Sequence, residues 1–146
     1  MSSKGFSLVE LMVVIVIAAI LLSIAGPTYL TQIRKSRRTE ARSALLDLAS
    51  REERYMSSNN AYTNTAANLG YTALPSVVGN GYYTLNVPTP VAVTATAPAS
   101  FTATATPVAG KGQDKDLQCA SFTVDSTGKQ SSQNSSGTDS TSTCWN

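Results

Sequence analysis

The 146-residue chain has no histidine, two cysteines and one tryptophan, and charged side chains make up only 14% of it. Without histidine there is no imidazole to serve as a general base near neutral pH. The Ser-His and Cys-His pairs of nucleophilic catalysis are therefore excluded. Neither a nucleophile elbow nor a phosphate-cradling glycine loop occurs in the sequence. Two thiols with no imidazole or acid cluster beside them fall short of a four-ligand metal site. No catalytic residue, metal or cofactor is expected. The net charge of +2 is too small for a strongly nucleic-acid-binding protein. Between Tyr55 and Gly110 there is no charged residue at all.

What the chain does have is concentrated in its first 26 residues. A polar leader with one cation, Lys4, ends at Gly5. Phe6 then opens an apolar run interrupted by a single acid, Glu10. An ionised carboxylate at the centre of a membrane helix costs about 2.5–3.5 kcal/mol, and less near an end. A charge kept against that penalty marks a functional position. From Leu11 to Ile33 there is no charge, a length sufficient to cross a bilayer as a helix. Taken alone, these residues leave several readings open: a plain anchor, a secretory signal cut after Ala25, or a core helix apolar all round. None of the three accounts for Glu10.

The Gly5-Phe6 junction, Glu10 four residues further on and the apolar stretch behind it resemble the class III signal of type IV prepilins. The resemblance implies that a prepilin peptidase cuts between Gly5 and Phe6 and methylates the new Phe6 amine. It implies that Glu10 neutralises the Phe6 amine of a neighbouring subunit during assembly. It also implies that the helix bends free and melts near Pro27 on entering a fibre. The implied partners are other pilin subunits, the peptidase, an inner-membrane assembly platform and membrane lipid, with DNA ranked last among them. The implied location is the inner membrane, with the C-terminal domain periplasmic, and afterwards a cell-surface pilus.

Cys119 and Cys144, near the C-terminus of an exported chain, read as one disulfide, against the alternative of two separate buried thiols. Closing a loop of that size is worth about 3–4 kcal/mol in the chain-entropy account. One observation points the other way. The basic residues Arg34, Lys35, Arg37 and Arg38 follow the span, against Lys4 and the amino terminus before it, and the positive-inside rule would leave the C-terminal domain in the cytoplasm. The disulfide and the resemblance favour the opposite orientation.

Past Gly26-Pro27, where a kink is expected, helical periodicity resumes. Ala41, Leu45, Leu48 and Met56, with Ala44 and Tyr55, share one face, and Arg42, Asp47, Arg51 and Arg54 fall mostly opposite. A helix from about Phe6 to Ser57 follows. Asn, Ser and Gly punctuate the next stretch to Gly81, a long loop. Alternation then predicts strands at Tyr82–Val87, Phe101–Val108 (with Thr on one face) and Cys119–Val124, with a short return through Lys129-Gln130-Ser131 and a weaker pattern at Val91–Thr96. The expected class is α+β, a long N-terminal helix, part transmembrane and part amphipathic, packed on a four-stranded antiparallel sheet with a disulfide-bounded C-terminal loop.

The expected divisions are a leader at 1–5, an assembly helix at 6–33 and an amphipathic helix at 34–57. A loop at 58–81 and the sheet with its C-terminal region at 82–146 complete them. The stretches Arg38-Thr39-Glu40-Ala41-Arg42, Arg51-Glu52-Glu53-Arg54-Tyr55 and Asn60-Ala61-Tyr62-Thr63, with the ending Cys144-Trp145, are most similar to PilE-type minor pilins and their ComP-like relatives. A minor pilin supporting assembly, twitching, adhesion or DNA uptake is the expected role. The alternatives are a major pilin, a type II secretion pseudopilin and a membrane-anchored DNA-binding pilin. The basic run Arg34 to Arg38 reads as a solvated face near lipid. Asp114 and Asp116, around Lys115, read as a solvated loop rather than a calcium loop. Asn134-Ser135-Ser136 is a glycosylation sequon.

Overall fold

The computed structural model describes residues 5–146, except the side chains of residues 24–28. The chain divides into two units, Met1–Lys35 and Ser36–Asn146.

Helix α1 spans Leu8–Asn59, 52 residues. It starts two residues after the expected Phe6, with the Leu11 N–H donating to the Ser7 carbonyl at 3.2 Å. In the first unit every described residue from Gly5 to Ser23 is exposed, including Leu8 at 75% and Leu22 at 73%. The helix assignment is unbroken through Gly26-Pro27, whose side chains lie outside the described residues. Among the described residues no helix is long and apolar enough to cross a membrane. The described apolar stretch before residue 24, Leu8–Ser23, rises about 24 Å at the usual helical pitch, short of a hydrocarbon core of about 30 Å.

The second unit is built on five antiparallel strands in the order β1-β2-β3-β4-β5, a simple meander. They are β1 (Ser76–Val78), β2 (Tyr83–Asn86), β3 (Thr102–Pro107), β4 (Ser121–Asp125) and β5 (Gln130–Gln133). The sheet therefore has five strands rather than four, because a short β1 forms inside the stretch read as loop. That stretch also holds a 3-10 helix at Ala66–Leu69. Val91–Thr96 forms no strand, and only an isolated bridge joins Val91 to Ser100. Prolines at 88, 90 and 98 remove backbone donors around it.

Alternation sorts the strand residues by face. Tyr83, Leu85, Ala103, Ala105, Phe122 and Val124 are buried in one cluster with Ala41, Leu45 and Leu48 of α1. The two alanines in the central strand leave room for large neighbours, and Phe122 packs edge-on against both Tyr83 and Trp145, at 6.0 and 5.9 Å between centroids. On the other face Asn86, Thr104, Thr123 and Ser131 line up in register across β2 to β5. The helical face anticipated from sequence is the buried one at Ala41, Leu45 and Leu48, with Ala44, Tyr55 and Met56 half-buried.

The C-terminal segment folds back over β5. Gln133 bridges Asp139, the Ser140 N–H donates to the Ser132 carbonyl at 2.9 Å, and the Ser132 N–H donates to Thr141 Oγ1 at 2.9 Å. The short helix α2 (Thr141–Cys144) follows, and its Cys144 is bonded to Cys119, Cα–Cα 5.8 Å. Trp145 Nε1 donates to the Ser131 carbonyl at 2.8 Å, and Arg42 Nη1 donates to the Asn146 carbonyl at 3.0 Å.

Candidate functional site

Two groups of residues carry chemistry, one in each unit. In the first, Gly5 and Phe6 precede α1 and are exposed, Phe6 at 76%. Residues 1–4 of the leader lie outside the described residues. Glu10 is exposed in the first turn of α1, where the positive end of the helix favours an acid by about 0.3–1 kcal/mol. That supplies a local electrostatic account of Glu10 beside the role implied by the prepilin signal.

In the second unit the buried stripe of α1 continues beyond its apolar residues. Arg38, Ala41, Leu45, Leu48 and Glu52 follow a 3-4-3-4 spacing, and all five are buried. The sequence reading placed charged residues outside the core. The available signal was the spacing itself, which extends the apolar face by one step at each end.

Arg38 forms a two-pronged ion pair with Asp116, Nε to Oδ2 and Nη2 to Oδ1 both at 2.6 Å. The side chains are 10% and 3% exposed. Gln113 Nε2 donates to Asp116 Oδ2 at 3.1 Å and to Tyr83 Oη at 2.9 Å. Burial pushes the Tyr83 hydroxyl up to about 12, opposed by the bond from Gln113. The loop after β3 is thus tied to α1 by a paired, hydrogen-bonded network, the form in which buried charge is tolerated. Asp116 is accordingly no solvated residue. Asp114 accepts the Gly110 N–H at 3.0 Å, and that bond holds its carboxyl below the ordinary range.

The basic run Arg34 to Arg38 is likewise not one solvated face. Arg38 is buried, and Arg37 sits 3.5 Å over the Tyr82 ring. At the other end of the stripe Glu52 Oε2 accepts the Thr63 N–H at 3.1 Å, while Oε1 is buried with no hydrogen-bond partner among the described residues. Burial raises the Glu52 carboxyl above its ordinary value, partly offset by Thr63 and reinforced by Glu53. Beside it Tyr62 Oη donates to Glu53 at 3.0 Å and packs edge-on to Phe101 at 4.7 Å.

The exposed lysines of this unit do not share one patch. Lys111 and Lys115 follow the C-terminal end of β3, whereas Lys129 lies in the turn between β4 and β5. Because β3 and β4 are antiparallel, these positions fall at opposite ends of the sheet. Among the described residues no cluster of His, Cys, Asp or Glu is arranged to hold a metal ion.

A long helix with an apolar exposed beginning, an antiparallel meander on its later half and a C-terminal disulfide define a pilin-like subunit. Comparison with known proteins agrees. Residues 1–26 match the prokaryotic N-terminal methylation motif. Residues 27–123, more than half of the chain, match the family described as type IV minor pilin ComP, DNA uptake sequence receptor. The chain belongs to this family of type IV pilins.

Among curated relatives, the type IV wide pilus major component PilA4 of Thermus thermophilus is 33% identical over 84 residues, 58% of this chain and 64% of that protein. The type IV major pilin protein PilA of Myxococcus xanthus is 32% identical over 69 residues, 47% of this chain and 31% of that protein. The matches thus cover less than two thirds of the length of either relative.

Proposed function

We propose that the chain is a structural subunit of a type IV pilus, a minor pilin held in the inner membrane and drawn from there into a surface fibre. The observation that carries this is the methylation motif over residues 1–26, leading into a helix whose side chains from Leu8 to Ser23 are all exposed. Fully burying one such Leu, Ile, Val, Phe or Met contributes about 1.5–3 kcal/mol. Lipid covers that surface before assembly, and copies of the same helix or those of other pilins cover it afterwards. Cleavage after Gly5 by a prepilin peptidase frees the Phe6 amine for methylation. Glu10 neutralises the amine of a neighbour, which matters more for register than for net stability. Pro27 lacks the N–H of an interior helical residue and is the point where α1 loosens on packing. The C-terminal unit, disulfide-bonded, faces the periplasm and then the outside.

Intact-mass spectrometry of fibres sheared from the producing cell tests this. The expected mass lacks the five residues Met1–Gly5, gains one methyl group and loses two hydrogens for the disulfide. An abundance far below that of another pilin assigns the minor role, and dominance assigns the major one. A chain that keeps its leader in the membrane and is absent from fibres overturns the proposal.

The family description favours a second reading, a DNA receptor on the fibre. Binding through phosphates weakens steeply as salt rises. A DNA affinity that is absent, or unchanged between low and high salt, removes that reading and leaves the subunit role intact.

A further inference from the structure

The last turns of α1 and the 3-10 helix at Ala66–Leu69 enclose an open cleft of about 370 Å³, lined by Arg51, Arg54, Tyr55, Ser58, Asn59 and Asn68 among others. One wall is fixed by Arg51. Its Nε donates to Asp47 at 2.7 Å, its Nη1 donates to the Leu69 carbonyl at 2.9 Å, and its guanidinium lies 5.1 Å from the Tyr71 ring. Gly70 completes that wall at φ +74°, and a Cβ there would stand 2.7 Å from Arg51 Nη1. Glycine suits the left-handed backbone, and a Cβ there would make the flexible Arg51 guanidinium shift.

The other groups are oriented and still have hydrogen-bonding capacity. Asn68 Nδ2 donates to Tyr55 Oη and to Thr63 Oγ1, both at 3.3 Å. This leaves Asn68 Oδ1 to accept and the Tyr55 hydroxyl proton to donate. Asn59 Nδ2 donates to the Tyr55 carbonyl at 3.0 Å, leaving its own oxygen available. Arg54 is exposed, and its guanidinium has no hydrogen bond or ion pair among the described residues. The cleft therefore offers one available planar cation, several amide and hydroxyl groups and one aromatic ring.

The local field narrows the ligand. The cleft sits at the C-terminal end of α1, the negative end of the helix, which disfavours a dianion such as phosphate and favours hydroxyl donors. A ligand rich in hydroxyls and carrying a single negative charge fits both. We propose that this cleft binds a saccharide residue bearing one carboxylate. Arg54 grips the carboxylate with its fork, and Tyr55, Ser58, Asn59 and Asn68 bond the ring hydroxyls.

The test uses the full-length chain in detergent micelles, titrated with glucuronate and with N-acetylneuraminate while the side-chain amide signals of Asn59 and Asn68 are followed. Glucose, inorganic phosphate and a short DNA duplex serve as comparison probes. The expected result is saturable binding of at least one acidic sugar at millimolar concentration. Arg54→Gln, at an exposed helical position, keeps the melting temperature and weakens binding about tenfold or more. Gly70→Ala crowds the Arg51 guanidinium that fixes one wall and weakens binding. If Gly70→Ala does not fold, Arg54→Gln decides alone. Three outcomes overturn the proposal: no saturable binding of either acid, equal affinity in Arg54→Gln, or phosphate or DNA binding as tightly as the sugars.

Discussion

Helix α1 has one conformation over 52 residues and two quite different surroundings. From Leu8 to Ser23 it is almost wholly apolar, yet every residue is exposed. From Arg38 to Glu52 it is studded with charge, yet Arg38, Ala41, Leu45, Leu48 and Glu52 are buried. In the later stretch apolar groups at the right spacing meet a sheet, and the charged groups at the ends of the stripe are buried because Asp116 and Thr63 meet them. In the earlier stretch the described residues are left exposed. Apolar character alone does not place a residue in a core; a partner surface does. One half of the helix stabilises this chain's own fold, and the other is available to stabilise an assembly.

Three comparisons sharpen the contrast. The largest effect is expected at the ion pair. Asp116→Ala leaves Arg38 buried without its counter-charge, with only the Gln118 amide oxygen at 3.5 Å to accept from it, and should cost about 3–5 kcal/mol of stability, measured by thermal unfolding of the full chain in detergent. Its counterpart Glu10→Ala should leave that unfolding unchanged while the variant is still cleaved but enters fibres poorly. Normal assembly of Glu10→Ala would sink the proposed pairing with the Phe6 amine.

Next in size, Leu45→Ala empties a fully buried site and should cost about 2–5 kcal/mol. Leu21→Ala, 62% exposed in the single chain, should change unfolding by less than about 0.5 kcal/mol. Equal losses at the two positions would erase the distinction between the halves.

The smallest effect is expected at Glu52 and shows in the shape of the pH profile. A carboxyl whose folded value is raised contributes stability that is fully present below its ordinary value near 4.5 and is lost as pH rises through the folded value. Glu52→Gln should therefore flatten that decline and gain on the native chain towards neutral pH. Asp114, Asp125 and Asp139 have lowered values and act in the opposite sense, their contribution present above 3.8 and lost as pH falls below it. Both chains share them, so the difference between the two profiles isolates Glu52. Parallel profiles would show that the buried carboxyl does not govern the dependence.

The sequence revealed periodic features better than paired ones. Leu45 and Leu48 announce themselves because burial repeats along a helix every three or four residues. Arg38 and Glu52 occupy the same stripe, but a charge is read as solvated until its partner is known. Arg38 finds Asp116 78 positions away, and nothing local marks the pair. Strand β1 was hidden for a related reason. Ser76-Val77-Val78 is too short to show alternation among Gly, Pro and Asn, and it becomes a strand only against Tyr83, Thr84 and Leu85. Val91–Thr96 shows the converse, an alternating pattern with no neighbour to pair with beyond one bridge. In the cleft, Arg51 and Tyr55 sit one helical turn apart, although the periodic pattern assigns them to opposite faces. Their closure by Asn68 and Gly70 depended on how the following chain turns back.

The segment folded over β5 has a consequence for crowding. Subunits concentrated in a membrane or stacked in a fibre bring many sheets close together, and a bare sheet edge is a template for joining the next. Here the outer side of β5 is occupied by the chain's own Asp139, Ser140 and Thr141, and Cys144 is tethered to Cys119 so that this cover stays in place. The opposite edge, β1, is only three residues long. Neither margin offers a long ladder of free donors and acceptors. Lateral zipping of sheets is discouraged at both sides, and ordered contact between copies is left to side chains rather than to shared backbone.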